Sequence, residues 1–137
     1  MNNSALFLAT LVKERIPYKM KSVKGGAMFT LELETEDMLL NVHVAVSDAD
    51  SRVRIVVGQL YEYDLSEQDD ILDILNFAFD ERRETTAIAA NGQVMLRRDI
   101  TAGKDFNPYY VLGAIERLKP ICDSLADKLD TLYRPLS

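Results

Sequence analysis

One cysteine and one histidine are all this chain holds of the two side chains that most often bind metals or carry nucleophilic chemistry. The lone Cys122 allows no intrachain disulfide framework and fits a reducing compartment. The lone His43 excludes His-pair metal sites and any mechanism that needs two imidazoles. Long apolar runs are missing as well. The stretch from Met1 to Val12 has no preceding positive charge and no small-residue cleavage pattern after it. Lys13-Glu14-Arg15 ends it well short of the ~20 residues a membrane span requires. Neither a signal peptide nor a membrane segment is predicted, and the cytoplasm is the expected location.

Positive charge is sparse and scattered. Arg82-Arg83 is flanked by Glu81 and Glu84, and Arg97-Arg98 is followed by Asp99. With a formal charge of −6 and a pI of 4.8, the surface repels phosphate backbones, so nucleic-acid binding is not expected. The glycines carry no phosphate loop: Gly25-Gly26 lacks the following Lys-Ser/Thr, and Gly58 has no Gly-x-Gly-x-x-Gly context. Asp48-Ala49-Asp50 resembles the start of a calcium loop, but Arg52 stands at the next ligand position and no glycine makes the turn.

What remains is an ordinary globular composition, 47% apolar and 28% charged, sized for a single domain over residues 1–137. Ser4 is a candidate cap for a helix running to about Ile16, ahead of Pro17. Leu6, Phe7, Leu8, Leu11, Val12 and Ile16 make that helix apolar on more than one stripe, so it is either deeply buried or covered by a partner. Tyr18 to Ser22 reads as a short extended segment before a turn at Lys24-Gly25-Gly26. Phe29, Leu31 and Leu33 then alternate with Thr30, Glu32 and Glu34, and Leu40, Val42, Val44 and Val46 alternate with Asn41, His43 and Ala45. Such alternation predicts antiparallel strands with one packed face and one polar face. A third strand, roughly Arg52 to Tyr61, is more continuously apolar and is placed nearer the sheet centre.

Ser66 and Asp69 resemble a capping box, with Glu67, Asp69 and Asp70 at the positive end of a second helix and Arg82-Arg83 at its negative end. Its apolar side chains sweep an arc of about 220°, more than one core contact uses, which predicts burial on two sides, self-association being one way to achieve it. Asn91-Gly92 marks a hairpin between 85–90 and 93–100. Asn107-Pro108 starts a last helix with Val111, Ile115, Leu118, Cys122, Leu125, Leu129 and Leu132 on one stripe. Pro120 lies off that stripe and either kinks the helix or begins a second segment. The predicted string is α-β-β-β-α-β-β-α, an α+β fold with an antiparallel sheet packed by helices.

No catalytic, metal or cofactor constellation emerges. His43 sits in the polar phase of a strand and is read as facing solvent or a partner. Cys122, on an apolar stripe, is read as an inert buried thiol. Glu32, Glu34 and Glu36 are read as the wet side of a sheet rather than an acid–base or cation site. Tyr61, Tyr63, Tyr109 and Tyr110 either form a binding platform or close the core with wet hydroxyls.

Residues Ile71-Leu72-Asp73-Ile74-Leu75-Asn76, the hairpin from Ala90 through Asn91-Gly92 to Ile100, and the terminal Leu132-Tyr133-Arg134-Pro135 resemble the pattern of the YbjN family. That pattern is a leucine-rich helix, a glycine-turned hairpin and a last helix closing in a Tyr/Pro tail. The family is similar in fold to type III secretion chaperones, which are small, acidic, usually dimeric and without enzymatic activity. The resemblance implies a non-catalytic homodimer that holds an extended segment of a polypeptide partner, without cofactor. It implies a dimer interface on the second helix, at Ile71, Ile74, Leu75 and Phe77. An apolar groove near the first helix and the sheet edge, with Phe7, Leu11 and His43 as candidate contacts, would take the peptide. The alternatives are a YbjN-like regulatory or adaptor protein in sensory or signalling control, and a small-ligand-binding or enzymatic domain.

Overall fold

A computed structural model describes residues 1–79, 85–100 and 105–132, the side chains of 76–79 excepted. The elements run α1 (Asn3–Lys13), β1 (Lys19–Val23), β2 (Gly26–Glu34), β3 (Leu39–Ser47), β4 (Val53–Glu62), α2 (Gln68–Phe79), β5 (Thr85–Ala90), β6 (Gln93–Ile100) and α3 (Pro108–Leu132). The fold is α+β, as the alternation predicts, with one strand more than expected. The segment after Pro17 is a true strand, β1, paired antiparallel with β2 from Lys19↔Thr30 to Val23↔Gly26. Its five residues are all exposed, so no hydrophobic alternation betrays it in the sequence. The six strands form one antiparallel sheet in the order β1-β2-β3-β4-β6-β5.

All three helices contribute to a single core on one face of this sheet. Phe29, Val42, Val44, Ile55, Val57 and Leu96 rise from the strands to meet Phe7 and Leu11 of α1 and Leu118, Cys122 and Leu125 of α3. Each such side chain contributes about 1.5–3 kcal/mol by leaving water. Phe7 is the centre of an aromatic group, edge-on to Phe29 at 4.9 Å and to Phe106 at 6.3 Å between centroids.

The cap of α1 is Asn2, whose side chain accepts from the Ala5 amide at 2.8 Å; Ser4, the expected cap, lies two residues further in. There Ser4 donates through N and Oγ to Asp48 of the β3–β4 turn, at 2.8 and 2.9 Å. The turn thus supplies a carboxylate to the helix N-terminus, which favours negative charge. The helix ends three residues before the expected Ile16. Arg15 adopts φ 57°, and the amides of Arg15 and Ile16 reach back to Val12 and Leu11, a Schellman closure that stops the helix ahead of Pro17.

Asp64, rather than Ser66, caps the turn before α2, accepting from Ser66 N at 3.0 Å and from its hydroxyl at 2.9 Å. Arg82-Arg83, expected at the helix's far end, lie outside the described residues, as does the Tyr133–Pro135 tail. The hairpin is as predicted: Asn91 and Gly92 have φ 56° and 79°, both positive, between Ala90 and Gln93. Asn107 caps α3, its Oδ1 accepting from the amides of Tyr109 and Tyr110. Pro120 does not break this helix, which is continuous over 25 residues. It sits on the exposed side, where the carbonyl four residues back, that of Glu116, can turn to water.

Candidate binding surface

The second face of the sheet carries no described element. Residues directly opposite one another across antiparallel strands share a face, so the register places its side chains in rows. One row reads Lys21, Met28, Ala45, Arg54, Asp99 from β1 to β6. The next reads Lys19, Thr30, His43, Val56, Arg97, Thr86 from β1 to β5. Toward the other end follow Glu32, Asn41 and Gly58, with Met95 opposite Ile88, and then Glu34, Leu39, Glu62 and Gln93. A bulge in β4, where Gln59 takes φ 56°, shifts the phase by one residue so that Tyr61 points into the core and Glu62 away from it.

Charge is divided along this face. Lys19, Lys21, Arg54 and Arg97 lie in the first two rows, the lysines on the β1 edge and the arginines on β4 and β6, where Asp99 stands beside them. Asp99 bridges Arg54, at 2.8 and 3.1 Å, and Arg97, at 3.8 Å. The Arg54 hydrogen bonds hold its carboxyl below the usual carboxylate range, helped by the charges of both guanidiniums. Glu32, Glu34 and Glu62 stand at the opposite end. Within the same rows the small or apolar positions Met28, Ala45, Val56, Gly58, Met95 and Ile88 alternate with the polar Thr30, His43, Asn41 and Thr86.

His43 lies in the middle of this face, half-buried, with Nδ1 3.1 Å from Thr30 Oγ1. Thr30 supplies the one hydroxyl beside it, and no carboxylate stands in its row. Phe7 and Leu11, the other two residues expected at a peptide groove, are fully buried beneath the opposite face, at 0% exposure. They are core residues, because α1 lies against β2, β3 and α3. Sequence periodicity could not separate the two readings it left open for this helix.

On α2, Ile71 and Leu75 are also spent inside the protomer, against β5 and α3, while Ile74 is partly buried on the same cluster. The Phe77 side chain lies outside the described residues. Of the four interface residues expected on this helix, Ile71 and Leu75 are thus core residues, and Leu72 beside them is exposed.

The tyrosines divide. Tyr61 and Tyr63 close the core, their hydroxyls donating to Asp130 Oδ1 at 3.1 Å and to Gln68 Oε1. Gln68 in turn donates 2.9 Å to the Ala89 carbonyl and so ties α2 to the β5 edge of the sheet. Tyr109 and Tyr110 are exposed, Tyr109 donating to Glu14 at 3.0 Å and Tyr110 lying under the Arg117 guanidinium.

At the end of the sheet, the β2–β3 turn and α3 enclose a groove of about 970 Å³ holding Glu34, Glu36, Glu116, Asp123, Asp127 and Lys128 among its walls. Asp123 is a structural tether there. Its carboxylate accepts from the Thr35 hydroxyl at 2.7 Å and the Glu36 amide at 3.2 Å, so Glu36 belongs to the turn and not to the open face. Among the described residues no three His, Cys, Asp or Glu side chains converge as metal ligands.

Cys122 is enclosed in the core, and burial, with the nearby Asp123 charge, pushes its thiol up to about 12. At neutral pH it is therefore protonated and shielded. Native protein at pH 8 is expected to react with an aromatic disulfide reagent only at its unfolding rate, whereas denatured protein reacts at once. A fast stoichiometric reaction under native conditions would place Cys122 at the surface.

The fold and this surface together define a class: an α+β protein whose antiparallel sheet is covered by helices on one side and carries no described element on the other. No protein-family model and no curated protein matches the chain. Among the described residues no helix is long and apolar enough to cross a membrane.

Proposed function

We propose that this chain is a non-catalytic, cytoplasmic polypeptide-binding protein that acts as a homodimer and holds an extended segment of its partner. The observation that carries this reading is the difference between the two edges of the sheet. At β5 the edge is packed by α2 and its Ala89 carbonyl is taken by Gln68. At β1 all five residues are exposed, and among the described residues β2 is the one strand paired with it. An open edge offers a row of amides and carbonyls to an incoming strand, and alternate side chains of that strand supply selectivity. Tyr18, Met20 and Val23 add exposed apolar surface along this edge.

Hydrogen exchange tests the assignment. Peptides drawn from proteins of the native cell and found by array to bind should slow amide exchange across Lys19–Val23 at saturation. If every bound peptide leaves those amides unprotected, or none binds, the reading falls.

A further inference from the structure

We infer that the open sheet face is the surface on which a second copy of this chain docks, face to face, across a two-fold axis perpendicular to the strands. The inference rests on the homodimer part of the function proposed above and assigns it a location other than α2.

Three observations converge. The first is self-complementary charge. In a chain of net charge −6, this one face carries Lys19, Lys21, Arg54 and Arg97 in its first two rows, Asp99 beside the arginines, and Glu32, Glu34 and Glu62 in its last two. A surface with opposite charge at its two ends matches a copy of itself turned end for end.

That match also selects the axis. A two-fold parallel to the strands would set cationic end on cationic end. A two-fold perpendicular to them sets β1 near the partner's β1 with strands antiparallel. Lys19 and Lys21 then lie within one strand spacing of the second copy's β2 carboxylates, and Arg54 and Arg97 lie over the β4 carboxylate.

The second observation is the middle of the face. Ala45, Val56, Gly58, Met95 and Ile88 are small or apolar positions set among Thr30, His43 and Asn41, and a Cβ built on Gly58 meets nothing within 4 Å. This is space into which an opposing sheet can settle at the ~10 Å separation of packed sheets.

The third is size. Six strands of five to ten residues, at about 3.3 Å per residue and about 4.8 Å apart, give a footprint of roughly 700 Å², close to the ~800 Å² per partner of a standard interface. On α2, Ile71 and Leu75 are already inside the protomer. In the sheet-to-sheet arrangement both β1 edges stay open, so dimerisation and strand addition do not compete.

Charge reversal tests this directly, because every residue to be changed is exposed and far-UV circular dichroism can confirm the fold. Sedimentation equilibrium at low salt should show a dimer for the native chain. Lys19→Glu with Lys21→Glu sets like charges together and should raise the dimer Kd at least about tenfold, as should Glu32→Lys with Glu34→Lys. The four substitutions combined should bring the Kd back to within a few-fold of the native value, and added salt should weaken the native dimer.

A native dimer indifferent to both reversals, or a combined variant that stays dissociated, overturns the inference and leaves the homodimer standing. A native chain that sediments as a monomer at hundreds of micromolar removes both. Peptide protection at β1 is read separately and survives either result.

Discussion

Phe7→Ala is expected to lower the free energy of unfolding by about 3–5 kcal/mol, a large share of the 5–15 kcal/mol typical of a whole domain. Phe7 is fully buried between α1 and the sheet and makes edge contacts with both Phe29 and Phe106. Removing its ring takes away apolar burial and leaves a cavity bounded by β2 on one side and the approach to α3 on the other. Strands paired along nine residues cannot collapse to fill it, so the cost belongs at the upper part of the range. Urea denaturation monitored by circular dichroism reads it as a lower midpoint at an unchanged slope. The same variant separates the two roles this residue could have. If its unfolding free energy stays within about 1 kcal/mol of the native value while peptide binding disappears, Phe7 belongs to a binding groove and not to the core.

Gly26→Ala should cost about 3 kcal/mol, and Gly58→Ala close to nothing or a slight gain, although both are glycines inside strands. A Cβ on Gly26 would overlap the Val46 carbonyl oxygen of β3 outright and crowd Ser47 Cα at 3.3 Å. Backbone atoms hydrogen-bonded in a sheet have nowhere to retreat, so β2 and β3 must separate at this end and the Gly26↔Ser47 pairing is lost. Gly58 faces open space, and an added methyl there only reduces the freedom of the unfolded chain. Thermal unfolding of the two variants side by side is the check. Equal effects would mean that the register between β2 and β3 differs from the one described.

Much of this architecture was legible from pattern alone, and the reasons are local. The alternation in 29–33 and 40–46 survives into buried and exposed rows because a strand's period of two leaves no freedom about which side chain points where. Asn91-Gly92 reads as a hairpin because few other residue pairs tolerate two positive φ angles. The α3 stripe from Val111 to Leu129 is buried as spaced, for the corresponding reason at a period of 3.6. Strand β1 was legible only as an extended segment, since an edge strand exposed on both faces has no apolar phase to detect. The broad apolar surface of α1 is taken up by the sheet and α3, and Ile71 and Leu75 of α2 go to the core. A helix that touches a sheet on one side and another helix on a second side looks, in sequence, the same as one awaiting a partner.

By itself, then, the order of residues determined most element types and the inward and outward phase of β2 and β3, because these depend on neighbours a few positions apart. Tertiary structure alone decided which apolar side chains are buried within the protomer, which sheet edge has no partner among the described residues, and that Lys19, Lys21, Arg54 and Arg97 share the first rows of one face with Glu32, Glu34 and Glu62 in the last. Those residues come from four strands up to 78 positions apart along the chain, and only the hydrogen-bond register between strands brings them into common rows.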